Sequence, residues 1–142
     1  MSVELAAAKA KIAGAVERLG DDLEQLSHRI HENPELCYKE EKAHAWLTEF
    51  LEKSGARVER GVGGVPTAFR ASLPATAPGP TVAILAEYDA LPGIGHACGH
   101  NVIAGAAACA GTALLAAFGA LPVPGTIQVI GTPAEEGGVG KA

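Results

Sequence analysis

The sequence predicts an α/β fold in which a mixed, largely parallel central sheet is flanked by helices. Helical and strand-like patterns alternate along its 142 residues, which is typical of this class. The uncharged segment Val102–Phe118 is rich in Ala and Gly, whose small side chains let a buried helix lie close to a sheet. A chain of this length with 48% hydrophobic residues is expected to form one domain around one core.

Two helices are expected at the start of the chain. The first begins at Val3 and is interrupted at Gly20, because glycine is unfavourable inside a helix. The second begins at Asp21 or Asp22, either of which can cap its first turn, and it ends at residues 33–34. A third helix has the clearest apolar period. Its predicted core face consists of Ala43, Trp46, Leu47, Phe50 and Leu51.

Four short runs after these helices are predicted to be strands. A segment rich in Pro and Gly, Pro74–Pro80, is expected to connect the second run to the third, because these residues favour turns and loops. The third run is the strongest of the first three, and the apolar helix separates it from the fourth. The predicted strands are Arg57–Val62, Thr67–Leu73, Thr81–Tyr88 and Thr126–Gly131.

The composition argues against a nucleic-acid or membrane partner. The formal net charge is -5 and the 11 Lys and Arg residues are dispersed, whereas phosphate binding needs them clustered. The segment Val102–Phe118 approaches the length of a membrane span, but Ala and Gly give little transfer free energy and no aromatic or basic anchors flank it. The N-terminus has no signal-peptide pattern, and three widely spaced cysteines do not fit a disulfide framework. A cytoplasmic location is therefore expected.

The stretch AEYDALPGIGHACGHN, residues 86–101, concentrates chemically active side chains between a predicted strand and the apolar helix. In open α/β sheets, ligands bind beyond the carboxyl ends of strands, where this loop is expected. His96, Cys98 and His100 alternate, so an extended backbone directs all three to one side. A lone histidine or cysteine is usually an ordinary polar or buried residue. Three such donors within five positions, with Asp89 nearby, favour a metal site.

A second cluster, GTPAEEGGVGKA, follows the last predicted strand. A pair of adjacent glutamates is usually part of a solvated surface. Here Glu135 and Glu136 follow a strand at the same expected edge of the sheet. Adjacent side chains on a strand point to opposite faces, so both glutamates can reach one site only if the backbone leaves the extended form there. Gly137 and Gly138 make such a turn possible. One carboxylate could then bind a metal while the other transfers protons, as hydrolysis of an amide requires.

The motifs DALP, HACGH and PAEEGG, together with HENPEL at His31–Leu36, resemble those of a known family. The sequence is similar to the metal-dependent aminoacylase and carboxypeptidase superfamily of peptidases, in its amidohydrolase branch. That branch contains hippurate hydrolases, indole-acetyl-amino-acid hydrolases, aminobenzoyl-glutamate hydrolases and β-alanyl-lysine dipeptidase-like proteins. The stretch AEYDALPGIGHACGHN most resembles the aminobenzoyl-glutamate and β-alanyl-lysine types.

The resemblance implies roles for five residues. Cys98 and His100 match the first metal ligands of the family, and Glu136 matches a further ligand. Glu135 matches the general base and acid. Asp89 matches the catalytic-site aspartate that supports the metal from the strand end.

The resemblance also implies a cofactor, a substrate class and the part of a longer enzyme to which these residues correspond. The cofactor is a divalent metal, as a pair of zinc or manganese ions, and the substrate is a small molecule, an N-acyl-amino acid or a dipeptide. Residues 1–142 correspond to the N-terminal part of a zinc-peptidase-like catalytic domain, without the lid and dimerisation domain or the C-terminal part. Family members carry two further histidine ligands downstream. The full-length protein is therefore expected to be a homodimer, and the fragment alone to be inactive. His96 matches a motif position that is not a ligand.

Two other functions stay open at this point. In a cysteine hydrolase, Cys98 would attack the substrate with a histidine as base, which leaves the glutamate pair without a role. Inactivation by iodoacetamide that chelators do not reproduce would favour this function. Alternatively, the chain could be a non-catalytic metal-binding or oligomer-forming module, which would bind metal but turn over no acyl-amino acid.

Overall fold

The helices and strands of the chain confirm the α/β class. The computed structural model describes residues 3–73, 77–118 and 124–138, so residues 74–76 of the predicted connection Pro74–Pro80 lie outside the described residues. The elements, in chain order, are α1 (Val3–Glu32), α2 (Glu41–Lys53), β1 (Arg57–Arg60), a 3₁₀ turn (Val62–Gly64), β2 (Phe69–Ser72), β3 (Thr81–Ala86), α3 (His100–Phe118) and β4 (Thr126–Gly131).

The four strands form one sheet in the order β1-β2-β4-β3. β1 pairs with β2 and β2 with β4 in antiparallel fashion, whereas β3 and β4 are parallel. The expectation of a largely parallel sheet is therefore wrong for the described strands. The connection between β1 and β2 is too short for a crossover, so these strands can only be antiparallel, while α3 supplies the crossover that the parallel pair β3 and β4 needs.

The parallel strands β3 and β4 end at the same edge of the sheet. In their register Ala86 lies beside Gly131, and the backbone N–H of Thr132 donates to the Ala86 carbonyl at 2.8 Å. β3 ends at Ala86 rather than at Tyr88 as predicted. The loop after β3, residues 87–99, and the segment after β4, residues 132–138, consequently leave the sheet side by side.

The first helix, α1, is continuous, so the predicted interruption at Gly20 is wrong. A glycine costs a helix interior only about 1 kcal/mol. That cost is offset by tertiary packing, because Leu26 and Ile30 in the second half of α1 are buried in the core. The helix ends close to the predicted position, where the side-chain amide of Asn33 donates to the Arg29 carbonyl at 2.9 Å.

The second helix, α2, buries the face predicted from its apolar period. Ala43, Leu47 and Leu51 are buried, and the two aromatic members of the face are partly buried against the same core. The first turn of α2 is capped from outside the helix by Glu35, whose carboxylate accepts the backbone N–H groups of Lys42 and Ala43 at 2.9–3.0 Å. This bond ties the HENPEL segment to α2.

The third helix, α3, begins at His100, two residues before the predicted start, and it is buried on one side only. Ala104 and Ala108 are fully buried, whereas Val102 is 62% exposed. The buried side lies so close to β4 that a Cβ added to Gly111 would be 2.4 Å from a methyl group of Val129. None of the helices in the described ranges is long and apolar enough to cross a membrane.

Replacing Gly111 with alanine is expected to destabilise the fold by about 1–3 kcal/mol, the usual cost of overpacking a core. The added methyl group would overlap Val129, which is fully buried. Gly105 on the same helix is a matched control, since a Cβ there would make an ordinary 3.8 Å contact with Ser27. Its alanine variant should gain up to about 1 kcal/mol of helix propensity. Urea unfolding measures both variants, and equal changes in the free energy of unfolding would contradict the close approach of α3 to β4.

Candidate metal centre

Asp89 lies at the edge where the two loops leave the sheet. Its side chain is fully buried, and its Oδ2 atom accepts the backbone N–H of Glu136 at 2.9 Å. The Cys37 thiol donates to the same oxygen at 3.4 Å. Because a buried carboxylate requires such partners, Asp89 joins the loop after β3 to the segment after β4. This position suits the supporting role predicted from the sequence.

His100 is buried, and its two ring nitrogens have different surroundings. Nδ1 lies 2.9 Å from the Asp89 carbonyl oxygen and 3.1 Å from Asp89 Oδ1. A carbonyl oxygen only accepts hydrogen bonds, so in the neutral ring Nδ1 carries the proton and donates it to the Asp89 carbonyl, which leaves the lone pair on Nε2. A hydrogen bond of this kind fixes the ring orientation of metal-ligating histidines.

The Nε2 atom of His100 faces three carboxylates. It lies 3.5 Å from Glu87 Oε2, 3.7 Å from Glu135 Oε2 and 3.9 Å from Glu136 Oε1. The glutamate side chains are 16%, 34% and 25% exposed in that order, whereas the side chain of His100 is 5% exposed. The site therefore has a buried floor of His100 and Asp89 and opens to solvent on the glutamate side.

Two groups of donor atoms are close enough to share a cation. Cys98, His100 and Glu136 form the first group, and Glu87, His100 and Glu135 form the second. Within each group the donor atoms lie within 4.8 Å of one another. The first group contains the three residues that the sequence predicts as metal ligands. Its thiol, imidazole and carboxylate are donors that zinc and other divalent transition metals accept, so the residues fit such an ion.

The surroundings of Cys98 favour a protonated thiol. Burial raises the pKa of the Cys98 thiol, and the facing carboxylate of Glu136 raises it further, against the lowering effect of the His100 backbone N–H. A cysteine nucleophile needs a lowered pKa or an adjacent base that removes its proton. This environment weighs against a cysteine hydrolase and is compatible with a thiol that loses its proton when a cation binds.

The pair Glu135–Glu136 enters the site through a left-handed turn at Ala134. Ala134 is buried and has a φ angle of 60°. The sequence predicts that the backbone leaves the extended form here through the conformational freedom of Gly137 and Gly138, but the residue with the left-handed conformation is Ala134. The two glycines instead leave room for neighbouring side chains. A Cβ on Gly138 would lie 2.6 Å from the Tyr38 hydroxyl, and one on Gly137 would lie 3.0 Å from the Cys37 sulfur.

Two contributors to the site were not predicted from the sequence. Glu87 precedes Asp89 by two residues, and the two-residue period of an extended backbone could have placed both side chains on one side. Cys37 belongs to the connection between α1 and α2, and its contact with Asp89 spans 52 residues of sequence. No spacing rule connects residues so far apart, so only the fold reveals this contact.

His96 belongs to neither group of donor atoms. Its ring is buried, and its centroid lies 6.4 Å from that of His31 at the end of α1. Burial lowers the pKa of His96, and the nearby rings of His31 and His100 lower it further. The position is consistent with the sequence interpretation, in which His96 is not a ligand.

Known proteins are similar to this chain in sequence and in fold. The chain is 43% identical over 150 residues to the Xaa-Arg dipeptidase of Mus musculus, covering 99% of the chain and 35% of that protein. It is 33% identical over 147 residues to one component of the p-aminobenzoyl-glutamate hydrolase of Escherichia coli, covering 92% of the chain and 30% of that component. A crystal structure from Bacillus subtilis, described as a dinuclear metal-binding peptidase of the M20 family, matches with a TM-score of 0.74 and 28% identity, covering 84% of the chain and 36% of that protein.

The chain is homologous to the M20 peptidases. This confirms the resemblance that the motifs indicated. The chain spans about a third of the length of these three relatives. No family model matches it. The match to the mouse dipeptidase extends over nearly the whole chain, including the loops that carry the candidate metal centre.

Proposed function

We propose that the chain is the N-terminal part of the catalytic domain of a metal-dependent amidohydrolase or dipeptidase. The substrate would be a small N-acyl-amino acid or dipeptide, cleaved at its amide bond. The observation that carries this proposal is the convergence of Glu135 and Glu136 on His100 at the edge where β3 and β4 end. Homology to a dipeptidase and to an aminobenzoyl-glutamate hydrolase supports the class of substrate.

Cys98, His100 and Glu136 are the proposed metal ligands. Their donor atoms lie within 4.8 Å of one another, and Asp89 orients the His100 ring through Nδ1. The proposed cofactor is a pair of zinc or manganese ions, in keeping with the dinuclear M20 relative. When bound, such ions supply Lewis acidity toward water and toward the amide carbonyl.

Glu135 is the proposed general base and acid. Its side chain is the most exposed of the three glutamates around His100, so water and substrate can reach it. In the reaction, Glu135 takes a proton from the attacking water as the bond forms between the water oxygen and the carbonyl carbon. When the carbon–nitrogen bond breaks, Glu135 passes that proton to the departing amine.

Glu136 differs from its neighbour because its backbone is fixed. The Glu136 N–H donates to the buried Asp89, and its carboxylate lies in one group with Cys98 and His100. Asp89 thereby holds both a ligand ring and the backbone of a ligand carboxylate. This contrast in environment supports a metal-binding role for Glu136 and a proton-transfer role for Glu135.

We propose that the full-length enzyme is a homodimer, and that further ligands, a lid and a dimerisation domain correspond to the part of the relatives that the chain does not span. We also propose a cytoplasmic location, because three widely spaced cysteines fit a reducing compartment better than a disulfide framework.

The chain of 142 residues alone is expected to hydrolyse neither N-acyl-amino acids nor dipeptides, even with zinc, manganese or cobalt supplied. Three protein donors can hold one ion, but they hold a bridging pair poorly. Without a lid the substrate also lacks the positioning that can lower a barrier by roughly 7–11 kcal/mol. An assay of the purified chain beside a full-length M20 relative checks this expectation. Chelator-sensitive turnover at a comparable rate would contradict it.

A chimera tests the proposed function directly. Residues 1–142 replace the matching segment of the mouse Xaa-Arg dipeptidase, and the chimera is assayed against dipeptides and N-acyl-amino acids. Chelator-sensitive hydrolysis that Glu135→Gln abolishes is the expected result. If the chimera folds and binds metal yet shows no hydrolysis, the alternative of a non-catalytic metal-binding module is favoured.

A further inference from the structure

Glu40 is a fully buried carboxylate that belongs to neither group of donor atoms at the candidate metal centre. Its Oε1 atom accepts the backbone N–H groups of Tyr38 at 2.9 Å and of Ala134 at 3.0 Å. Its Oε2 atom accepts the hydroxyl of Thr67 at 2.9 Å. Three separate segments of the chain therefore donate to this one side chain, and they supply the hydrogen bonds that a buried carboxyl group needs.

The two residues that donate to Oε1 share an unusual backbone conformation. Tyr38 has a φ angle of 62° and Ala134 one of 60°, and they are the non-glycine residues with positive φ in the part of the chain that the structure describes. This conformation is disfavoured for residues with a Cβ atom and persists where the surrounding structure imposes it. Both left-handed turns thus close on a single oxygen of Glu40.

We propose that Glu40 is a positioning residue that holds these two turns and thereby sets the direction in which Glu135 and Glu136 enter the site. Ala134 immediately precedes the pair, so the φ angle at Ala134 determines where both carboxylates point. Glu40 lies outside the proposed ligand set and acts through the backbone. The inference rests on the proposed function only for the roles of the two glutamates.

The left-handed turn at Tyr38 also contacts the loops of the candidate metal centre. Cys37, next to Tyr38, donates to Asp89, and the Tyr38 hydroxyl lies where a side chain on Gly138 would be. The connection between α1 and α2 therefore contacts both loops of the site, and Glu40 fixes the backbone of that connection. Removal of the Glu40 carboxylate leaves two backbone N–H groups without their acceptor and releases both turns.

Hydrogen exchange in the metal-free chain tests this role. The reporters are the backbone amides of Glu136, which donates to Asp89, and of Gly138, which donates to the Ala134 carbonyl at 3.0 Å. Neither amide bonds to Glu40, so faster exchange would report a displaced turn rather than the loss of a direct bond. The amide of Val129 in β4 reports the stability of the sheet.

The variants are Glu40→Ala, Glu40→Gln and Thr67→Val. Glu40→Ala should speed exchange at both reporters while Val129 stays protected. Glu40→Gln should restore protection, because its carbonyl oxygen can accept both N–H groups. Thr67→Val is the matched control, since it removes a hydrogen bond to the same carboxylate without touching the turns. Unchanged reporter exchange in Glu40→Ala, or equal acceleration in Thr67→Val, would overturn the proposal.

Zinc affinity, measured by competition with a chelating dye, is the second readout. Glu40→Ala should lower the affinity by about 10- to 100-fold, the usual loss when a residue that orients ligands is removed. Glu40→Gln and Thr67→Val should leave the zinc affinity close to that of the parent.

If the parent chain binds no zinc, the proposed function fails while the exchange experiment still decides the role of Glu40. If Glu40→Ala does not fold, Glu40→Asp, whose carboxylate is retracted by one methylene, replaces it in the exchange experiment with the same expected and contradicting outcomes.

Discussion

Substituting His100 with alanine is expected to abolish tight binding of divalent metal by the chain. His100 is the residue common to both groups of donor atoms, and its Nε2 atom carries the lone pair at the centre of the site. The loss should exceed the about 10- to 100-fold decrease that follows removal of a ligand's hydrogen-bonding partner alone. Zinc titration and metal analysis of the purified variant measure the effect. Cys98→Ala is expected to behave in the same way.

The chain provides matched controls for both variants. His96 is buried in the same loop but belongs to neither group of donor atoms, so His96→Ala should retain the metal. Cys109 is a buried thiol of α3 outside both groups, so Cys109→Ala should retain it too. Undiminished metal content in both His100→Ala and Cys98→Ala would refute the ligand assignment.

The largest effect on turnover is expected for Glu135→Gln in the chimera with the mouse dipeptidase. The amide of glutamine cannot accept a proton from water at neutral pH, so the rate should fall by at least the ~10²–10⁴-fold typical of removing a general acid or base. The metal content should be unchanged, because glutamine keeps the shape of the side chain and the proposed ligands are intact. Steady-state kinetics together with metal analysis of the same sample measure both quantities.

The adjacent substitution gives the contrasting result. Glu136→Ala removes a donor from the group that contains Cys98 and His100, so it should lower the metal affinity, and activity should be partly recovered at high metal concentration. Glu135→Gln should not respond to added metal. Equal metal loss in the two variants would show that the roles of the pair are divided wrongly.

Much of the candidate site could be predicted because it depends on local pattern. A strand followed by a glycine-containing loop with alternating donors placed His96, Cys98 and His100 at a strand end, and parallel strands share that edge. The second strand end placed Glu135 and Glu136 at the same edge. The structure brings Cys98, His100 and Glu136 into one group and leaves His96 outside it, a distinction that the alternation alone could not make.

The errors in the fold arose where tertiary packing overrides local preference. Gly20 is a poor helix residue, yet α1 passes through it because the residues beyond it pack into the core. The pairing of β2 with β4 is antiparallel and joins strands far apart in sequence, which no periodicity reveals. The sheet is therefore less parallel than an alternation of helices and strands suggests.

The contacts of Glu40 could not be predicted from the sequence either, because they join residues that only tertiary packing brings together. Its hydrogen bond to Ala134 spans 94 residues, and the left-handed turn that it closes occurs at an alanine, where glycine would have been the expected residue. A buried carboxylate also contradicts the usual exposure of glutamate. Such exceptions arise where a site needs its backbone held in an unfavourable conformation.

X-ray absorption spectroscopy of the zinc-loaded chain tests whether Cys98 and His100 bind the metal. We expect a sulfur neighbour from Cys98 at about 2.3 Å and a nitrogen neighbour from His100 at about 2.0–2.1 Å, with the remaining ligands oxygen. The sulfur signal should disappear in Cys98→Ala and persist in Cys109→Ala. Zinc bound with no sulfur neighbour in the parent, or with a sulfur signal unchanged in Cys98→Ala, would contradict the assignment of this site.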